Sequence, residues 1–448
     1  MVRASGESGV IAAGGLSARL ALRVYGFLCW TLIPALRWRL RRRAGAEPMY
    51  GQRVDERFGY YAADVLDSLR QGSGPRIWVH AVSLGETRAA GLLLTALREA
   101  IPGVRVVLTH GTATGRAAGM ALLQPGDVQV WQPWDTAGAV QRFLKVCRPE
   151  FGLLIETEVW PQLVAGCVQV GVPVYLVNAR LSEASLRAYQ RVPWLSGPAF
   201  AALAGIWAQT DADAARLRAL GGSVLGVPGN FKFDARPDTH LVEQGRTLRA
   251  ALHKPVVMLA SSRDGEEGLW LQTLNTLQSD FPDCHWLLVP RHPQRFDAVA
   301  DLLRSAGLSV ARRSEQSTVM DWVADPVKVW LGDSLGEMAL YYSLADVALL
   351  GGSFAPLGGQ NLIEAAACGC VVVMGPHTFN FSEVAERAVE AGAAVRVADM
   401  AEAFAAVATL LQMDAQRRRA RATDFASTRG GALARTVEAL AALRPRLT

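Results

Sequence analysis

A glycine-rich stretch at residues 349–369 has the composition of a phosphate-binding site. An apolar run just before it predicts a buried strand, and the residues after Asn361 predict a helix. Backbone N–H groups of such a loop attract anions, as does the positive end of the helix dipole. Phosphate is the expected ligand of such a loop, and Glu364 could bind the hydroxyls of a ribose. The candidate nucleotide-binding residues are Gly352, Ser353, Phe354, Gly359, Asn361 and Glu364. The alternative is a plain strand-to-helix turn whose glycines only allow tight packing.

Glu86 has the position of a general base in the first half of the chain. It follows an apolar run, residues 77–82, that predicts a strand, and a helix is expected to start near Thr87. The dipole of that helix helps to keep a carboxylate in its first turn ionised. An ionised carboxylate can take the proton from an attacking sugar hydroxyl. The alternative is that Glu86 only caps the helix, so the position alone leaves both roles open.

Two carboxylates, Glu156 and Glu158, directly follow an apolar run at residues 151–155. Carboxylates at the end of a buried strand are costly unless they are paired or used. One of them could therefore orient a substrate hydroxyl. Helix capping by Thr157 and Glu158 ahead of Pro161 is the alternative.

Arginines that follow predicted strands are candidates for binding phosphate. Arg291 comes directly after Pro290 at the end of an apolar run, and a guanidinium stays charged and binds phosphate through a fork of N–H groups. Arg180 lies in a polar segment, residues 178–185, which could hold phosphate or sugar hydroxyls or simply start a helix. Ser261 ends a predicted strand and could line the same site as Arg291.

A second strand, loop and helix-start pattern at residues 331–338 offers backbone N–H groups to an oxygen-rich group. Its candidate substrate-binding residues are Gly332, Ser334, Leu335, Gly336, Glu337 and Met338. Asp211 and Asp213 superficially resemble the metal-binding pair of some sugar transferases. They stand before a helical pattern, however, which predicts a helix cap. The sequence therefore predicts neither a metal site nor a cofactor.

The composition is that of a globular protein with more than one domain. The chain has 448 residues, of which 50% are hydrophobic and 19% charged, and this length predicts two domains of roughly 200 residues. The net charge of +5 is uneven. Residues 1–43 hold eight arginines and one acid, a charge of +7, which leaves 5 − 7 = −2 for the rest. The excess positive charge thus lies in the N-terminal segment alone. Since the rest of the chain is not basic, no nucleic-acid partner is predicted. Six scattered cysteines support neither a disulfide framework nor a zinc site.

The N-terminal segment predicts contact with a membrane surface. Residues 1–15 read as a mobile tail. An uncharged run at 24–36 follows, bordered by arginine and aromatic residues. Thirteen residues fall short of the roughly 20 that span a bilayer as a helix. We therefore expect a helix in, or dipping into, an anionic membrane surface. A helix packed on the protein itself and a spanning anchor with snorkelling arginines are the alternatives.

From residue 76 onward, short β-branched runs alternate with helical segments, which predicts parallel sheets with helices on both faces. The first set of predicted strands is 77–82, 104–109, 128–131, 151–155, 174–177, 206–209 and 224–227. The second set is 256–260, 286–289, 327–331, 347–350, 371–374 and 394–397. Turn-forming residues at 226–237 mark a linker. We expect two doubly wound Rossmann-like domains facing across a cleft, with ligands at the carboxyl ends of the strands.

The predicted division has three parts. Residues 1–43 form the tail and the membrane-associated helix, residues 44–230 the first Rossmann-like domain, and residues 231–448 the second. The terminal helices of the last part, from about residue 401, could cross back to the other domain.

Seven motifs, in order along nearly the whole chain, resemble the 3-deoxy-D-manno-octulosonic acid (Kdo) transferases of Gram-negative bacteria. They are His80-Ala-Val-Ser-Leu-Gly-Glu86, Glu156-Thr-Glu-Val-Trp-Pro161, Asn178-Ala-Arg-Leu-Ser182, Gly229-Asn-Phe-Lys-Phe-Asp234, Pro290-Arg-His-Pro293, Leu331-Gly-Asp-Ser-Leu-Gly-Glu-Met338, and Gly351-Gly-Ser-Phe together with Gly359-Gln-Asn-Leu-Ile-Glu364. Ala184 and Gln162 stand where arginine and asparagine are expected in relatives, which leaves secondary acceptor contacts open.

The resemblance implies a GT-B fold and an inverting, metal-independent transfer of Kdo. The donor would be CMP-Kdo and the acceptor lipid IVA, a lipid A precursor, at the cytoplasmic face of the bacterial inner membrane. Glu86 would be the base, and Glu158 is also associated with activity. Arg291 would face the donor phosphate and Glu364 the ribose. Further substrate-binding candidates within the motifs are His80, Ser83, Gly85, Arg180 and Lys232.

Two other functions remain open at this level. Another GT-B enzyme, such as a UDP-sugar transferase or an epimerase, would share the fold but prefer UDP to CMP. A membrane-bound nucleotide-sugar sensor would bind CMP-Kdo without turnover. The sequence does not say how many Kdo residues are added or what the oligomeric state is.

Overall fold

The computed structural model describes residues 16–234, 236–277, 281–324, 327–428 and 430–443. The tail predicted for residues 1–15 lies outside this part of the chain. The chain divides into two units, one formed by residues 1–234 with 430–448 and the other by residues 235–429. The sequence placed the boundary a few residues earlier and left open a return of the terminal helices.

The first unit alternates strands and helices from residue 76 onward. Its strands are β1 Arg76–His80, β2 Arg105–His110, β3 Val128–Trp131, β4 Phe151–Ile155, β5 Val174–Ala179, β6 Gly205–Ala208 and β7 Val224–Gly226. Its helices are α1 Leu16–Thr31, α2 Ile33–Ala44, α3 Ala63–Arg70, α4 Leu84–Ala100, α5 Ala113–Met120, α6 Ala137–Cys147, α7 Pro161–Gln169, α8 Glu183–Gln190, α9 Pro193–Ala201, α10 Asp211–Ala219 and, from the chain terminus, α20 Ala432–Leu443. Short 3-10 helices lie at Pro48–Gly51, Val54–Phe58 and Phe231–Asp234.

The second unit repeats the alternation. Its strands are β8 Val256–Ser262, β9 His285–Pro290, β10 Val310–Arg312, β11 Val329–Leu331, β12 Val347–Leu350, β13 Val371–Met374 and β14 Ala394–Arg396. Its helices are α11 Thr239–Ala251, α12 Glu266–Leu277, α13 Phe296–Ser305, α14 Val319–Ala324, α15 Met338–Leu344, α16 Ile363–Ala367, α17 Ser382–Glu390, α18 Met400–Gln412 and α19 Ala415–Thr428. Short 3-10 helices lie at Pro293–Arg295 and Arg313–Glu315.

Each unit has one parallel seven-stranded sheet, in the orders β3-β2-β1-β4-β5-β6-β7 and β10-β11-β9-β8-β12-β13-β14. This arrangement confirms the predicted pair of doubly wound, Rossmann-like domains. All thirteen predicted strands are present. β10 was missed because it has three residues, of which the last is an arginine, and so lacks an apolar run.

The sheet of the first unit is covered on both faces. Successive side chains of a strand point to opposite faces, and in β1 Trp78 packs into one apolar cluster while Ile77 and Val79 pack into the other. β1 pairs with β2 on one side and β4 on the other. Polar side chains that are to meet a ligand must therefore come from the strand ends, which is where the candidate residues stand.

The predicted N-terminal helix is two helices. α1 ends at Thr31 and α2 begins at Ile33 with Pro34 in its first turn, where a proline without an N–H is tolerated. The two helices meet at an angle of 46°. Among the described residues, neither is by itself long and apolar enough to cross a membrane, although the bent pair has the length and composition to do so. Membrane contact of this segment stays a prediction.

The terminal helix α20 packs against α4 in the first unit. The Asp234 carboxylate accepts hydrogen bonds from the backbone N–H groups of Gly431 and Leu433 at the start of this helix. Arg435 donates to the carbonyl of Pro228 at 2.6 Å. These bonds fix the helix beside the segment that the sequence had identified as a linker.

Candidate active site

Glu86 lies in the first turn of α4, directly after β1. Its carboxylate accepts hydrogen bonds from the Val82 N–H at 2.6 Å and from the Ser83 hydroxyl at 3.0 Å. The Ser83 Oγ in turn accepts from the Glu86 N–H at 3.4 Å. Glu86 thus does cap the helix, in a variant of the reciprocal arrangement of a capping box. Capping holds the carboxylate in one orientation and does not exclude a chemical role.

The pKa of the Glu86 carboxyl group is raised toward neutral pH. The pKa of its carboxyl group is raised to about 7, mainly by burial and further by the nearby charges of Glu158 and Glu156, while the Val82 and Ser83 hydrogen bonds act in the lowering direction. A carboxylate with a pKa near the working pH is well matched to accept a proton during a reaction. The structure therefore gives Glu86 a property that its position in the sequence did not reveal.

The loop after β4 brings a second carboxylate to this strand edge. Glu158 accepts a hydrogen bond from the indole N–H of Trp160 at 3.0 Å, and burial raises the pKa of its carboxyl group. Glu156 has a left-handed backbone with φ = 65°, a conformation that is uncommon for residues other than glycine. Because β1 and β4 are parallel neighbours, their carboxyl ends place Glu86 and Glu158 at one edge of the sheet.

Arg180 and Lys232 lie at the same edge. The Arg180 carbonyl accepts from the Thr157 hydroxyl at 3.0 Å, so the end of β5 is tied to the Glu158 loop, and the Arg180 side chain is exposed. The Asn178 side chain accepts from the Phe231 N–H at 3.1 Å and so holds the 3-10 helix that carries Lys232. The structure thus brings these two predicted substrate-binding residues to the strand edge that carries Glu86 and Glu158. Their contact with a substrate stays a prediction.

The side chain of His80 does not reach this edge. It is fully buried because it ends the central strand β1, and its Nδ1 lies 2.8 Å from the hydroxyl of Thr109 on β2. Burial lowers the pKa of His80 to about 3 and, with it, that of neighbouring His110 to about 4. Both imidazoles are therefore neutral at neutral pH. We reassign His80 from substrate contact to support of the strand end that carries Ser83, Gly85 and Glu86.

In the second unit, the glycine-rich loop follows β12 as predicted, but its first N–H groups are already occupied. The Glu266 carboxylate of α12 accepts from the backbone N–H groups of Gly352, Phe354 and Ala355 at 2.7 to 3.2 Å. The following helix, α16, has five residues, so its dipole is small. The prediction that loop and helix start together form a phosphate cradle is therefore corrected for the first half of the loop.

Other residues of this loop have structural roles. Ser353 is fully buried, and its Oγ donates to the Leu350 carbonyl and accepts from the Gly375 N–H at 2.9 Å. These two bonds tie the end of β12 to the end of β13, so the Ser353 side chain is unavailable to a ligand. The Asn361 side-chain oxygen accepts from the Ile363 N–H at 3.1 Å in the turn directly before α16. Phe354 and Glu364 are half-buried, and Gly359 is buried.

Arg291 follows β9 with an exposed side chain. Its Nε donates to the Gln360 side-chain oxygen at 3.3 Å, which directs the guanidinium toward the second half of the glycine-rich loop. Within the described part of the chain, Arg291 forms no ion pair with a carboxylate. It is thus a cation available to an anionic ligand. Pro290 is buried as the last residue of β9, and Ser261 of β8 has a left-handed backbone with φ = 54°.

The loop before α15 is held mainly by its own side chains. The Glu337 carboxylate accepts from the Ser334 hydroxyl and from Arg313 at 3.0 Å, and Ser334 also bonds to the hydroxyl of Tyr341. A side chain at Gly332 would press on the Tyr341 ring at 3.0 Å. Ser334, Glu337 and Gly332 therefore shape the loop. Its most exposed positions are Leu335, at 75%, and Gly336, while Met338 is half-buried.

No group of histidine, cysteine, aspartate or glutamate side chains within the described ranges is arranged to hold a metal ion. Asp213 accepts from the Leu181 N–H at 2.8 Å and from the hydroxyl of Thr210 at 2.6 Å. Thr210 is the N-cap of α10, since its hydroxyl oxygen accepts from the Asp213 N–H at 3.1 Å, so Asp213 belongs to a capped first turn. Asp211 opens the same helix, α10.

An apolar groove of about 1220 Å³ lies beside α1, α7 and α9 in the first unit, and we call it the α1 groove. It was not predicted from the sequence. Its walls include Leu22, Trp30, Ala165 and Leu195, and its charged lining residues are Arg19, Arg23, Arg37 and Arg142. Among the residues that the structure describes, none of those lining it is acidic.

The packing of α1 beside α7 explains how the α1 groove forms. The amide of Gln162 donates to the Leu22 carbonyl at 2.6 Å, and a Cβ atom at Gly26 would lie 2.4 Å from that amide nitrogen. The buried Asp135 carboxylate accepts from the N–H groups of Gln162 and Leu163 and so caps α7. Contacts between residues this far apart in the chain leave no local pattern, which is why the sequence did not indicate the groove.

Comparison with known proteins identifies the family. Residues 52–235 match the family model described as 3-Deoxy-D-manno-octulosonic-acid transferase (kdotransferase). The chain is 44% identical to the 3-deoxy-D-manno-octulosonic acid transferase of Bordetella pertussis over 94% of this chain and 97% of that protein. It is 32% identical to the transferase of that name from Haemophilus influenzae, over 83% and 86%.

Similarity to a solved structure supports the fold. A UDP-GlcNAc 2-epimerase from Neisseria meningitidis, crystallised with UDP-GlcNAc, matches 82% of this chain and 99% of its own with a TM-score of 0.54 and 14% identity. That likeness concerns the fold alone, which is of the GT-B type. The family follows from the sequence identity and the coverage of the matches to the two bacterial transferases. The chain belongs to the 3-deoxy-D-manno-octulosonic acid transferases, a family of glycosyltransferases.

Proposed function

We propose that the protein transfers Kdo from CMP-Kdo to lipid IVA with inversion at the anomeric carbon and without a metal ion. The carboxylate of Glu86, with its pKa near neutrality and its fixed orientation beside Glu158, is the observation that carries the proposal. The acceptor would bind the unit that contains Glu86, and the donor the unit that contains Arg291. The site of action would be the cytoplasmic face of the inner membrane.

In the proposed reaction a glucosamine 6-hydroxyl of the acceptor attacks the anomeric carbon of Kdo. Glu86 takes the hydroxyl proton as the new C–O bond forms. The bond between the anomeric carbon and the phosphate oxygen breaks, and its electron pair leaves with CMP. Direct attack from the face opposite the leaving group inverts the configuration. Arg291 stabilises the negative charge that develops on the phosphate, a contribution that requires no metal.

The experiment that tests this function is mass analysis of lipid IVA after incubation with the protein and CMP-Kdo. A mass increment of one or more Kdo residues is expected, and the number of increments gives the number transferred. If folded protein that binds CMP produces no increment on lipid IVA, the acceptor or the function is a different one.

The rate of transfer should rise with pH and level off above the pKa of Glu86, which is about 7. Below that value the carboxyl group is protonated in the folded protein and cannot act as a base. Glu158→Gln removes a negative charge that raises this pKa, so the acidic limb of the profile should move to lower pH even though the maximum rate also falls. A pH profile of kcat/KM for both proteins measures this shift. A limb that stays in place, or moves to higher pH, would contradict the assignment.

The α1 groove supports a lipid acceptor. Pro161 lines it at the start of α7, and Glu158 precedes Pro161 by three residues in the chain. Its apolar walls suit acyl chains, since each buried CH₂ group contributes about 0.8 kcal/mol. Arg19 and Arg23 form no ion pair among the described residues, and their charges suit the phosphates of lipid IVA.

Filling the α1 groove should weaken binding of the acylated acceptor. Ala165 is a half-buried residue of its wall, and Ala165→Trp would occupy the space of an acyl chain. We expect the KM for lipid IVA to rise about tenfold, equal to the loss of roughly two buried CH₂ groups, with an unchanged KM for CMP-Kdo. Ala100→Trp, at the exposed end of α4 opposite Glu86, is the matched control. An unchanged KM for lipid IVA in Ala165→Trp would place the acyl chains elsewhere.

A further inference from the structure

Four backbone N–H groups converge on the carboxylate of Glu266, the first residue of α12. One carboxylate oxygen accepts from Arg263 at 2.9 Å and Gly352 at 2.7 Å, and the other from Phe354 at 3.1 Å and Ala355 at 3.2 Å. Glu266 itself is fully buried. The carboxylate therefore occupies a ring of N–H groups of the kind that binds an anionic ligand in other loops.

The contacts fill the acceptor positions of the Glu266 carboxylate. A carboxylate offers about four such positions, and four backbone N–H groups take them. A buried polar group is tolerated when it is hydrogen-bonded. The adjacent Glu267 has a partner of its own, since the guanidinium of Arg295 donates to both of its oxygens at 2.8 Å. Glu266 thus does for these N–H groups what a phosphate would do.

The loop held by Glu266 leads directly to Arg291. Gly352 donates to Glu266 through its N–H, and its carbonyl accepts from the N–H of Gly359 at 2.7 Å. Gln360 follows in the chain and accepts from Arg291. Gly352 has a left-handed backbone with φ = 71°, a conformation open mainly to glycine. The position of Gly352 therefore sets where the second half of the loop meets the Arg291 guanidinium.

We propose that Glu266 is a positioning residue for the donor phosphate and acts as a built-in anion. It holds the first half of the glycine-rich loop in its ligand-binding shape before the donor arrives. The donor phosphate is then bound by Arg291 and by the loop from Gly358 onward, not by the N–H groups of residues 352–355. This inference rests on the proposed function for the identity of the donor.

Removing the carboxylate should weaken the donor site and leave the acceptor site intact. In Glu266→Ala the N–H groups lose their anion, the loop shifts, and a misplacement of this kind costs about tenfold or more in donor KM. The KM for lipid IVA should not change, because Glu86 and the α1 groove lie in the other unit. Added formate, a free carboxylate that fits the vacated space, should restore the donor KM. CMP affinity, measured by calorimetry, should follow the same pattern.

The matched control is Asp346→Ala. Asp346 is also a buried carboxylate of this sheet, bonded to Arg249 at 2.6 Å and to the Val256 N–H at 2.9 Å, but it precedes β12 at the end opposite the loop. Its loss should lower the melting temperature without raising the donor KM. Should Glu266→Ala not fold, Glu266→Gln replaces it, since the amide keeps one acceptor oxygen and should give a smaller rise in donor KM.

The outcomes separate this inference from the proposed function. If the unaltered protein does not transfer Kdo, the proposed function fails, while CMP affinity in the variants still tests Glu266. If the Glu266 variants bind CMP as tightly as the unaltered protein, or if formate does not restore affinity to Glu266→Ala, the positioning role is wrong. If Asp346→Ala raises the donor KM equally, Glu266 acts only through general stability.

Discussion

The Glu86→Gln variant should transfer Kdo about 10²- to 10⁴-fold more slowly than the unaltered protein, the range that a general base contributes. Glutamine cannot take the proton of the attacking hydroxyl at any pH. It can still serve in a capping box, because its amide oxygen can accept from the Val82 N–H and its NH₂ group can donate to the Ser83 hydroxyl oxygen, so the fold should be retained. Mass analysis of lipid IVA over time measures the rate.

Two further measurements make the Glu86→Gln result specific. The affinity for CMP should be unchanged, because CMP is bound by the other unit in the proposed function. Glu99→Gln alters an exposed glutamate near the end of the same helix and should transfer at the normal rate. Transfer by Glu86→Gln within about threefold of the normal rate would be far below a general-base effect and would show that another group accepts the proton.

The sequence predicted the fold well because the information is local. Strands of a parallel sheet covered on both faces are short runs of apolar residues, and such runs are easy to recognise between turn-forming residues. The exceptions also have local causes. β10 offers no apolar run, and Pro34 divides a helix that uncharged composition alone would continue.

The sequence predicted where the candidate residues lie better than it predicted which contacts their side chains make. The structure places Glu86 and Arg291 directly after strands, as predicted, and ligands of such sheets bind at the strand ends. The burial that sets the pKa of Glu86 comes from tertiary packing and leaves no trace in the sequence. Glu266 reads as an ordinary first-turn acid. The Gly352 N–H that it binds lies 86 positions away in the chain. The sequence therefore could not show that the Glu266 carboxylate binds the N–H groups of the glycine-rich loop. The burial of His80 was also not foreseen, because a motif does not reveal which way a strand residue points.

The Arg291→Ala variant should lose about 10²- to 10³-fold in kcat/KM for CMP-Kdo, the cost of removing one fixed donor to a developing negative charge. CMP leaves with additional charge on its phosphate, and Arg291 is the exposed cation that Gln360 directs toward the glycine-rich loop. Arg291→Lys should recover part of the loss, because lysine restores the charge but not the planar fork of donors. Initial rates at varied CMP-Kdo and fixed lipid IVA measure these differences.

The proposal that no metal takes part is tested with the same assay. Chelation by EDTA should leave the rate of the unaltered protein unchanged if Arg291 supplies the stabilising charge. Arg304→Ala is the matched control, since Arg304 lies on the exposed side of α13 and its ion pairs with Asp301 and Glu315 are at the surface, where such pairs contribute little. A rate abolished by EDTA and restored by a divalent cation would assign the charge stabilisation to a metal. A normal rate in Arg291→Ala would remove Arg291 from the donor site.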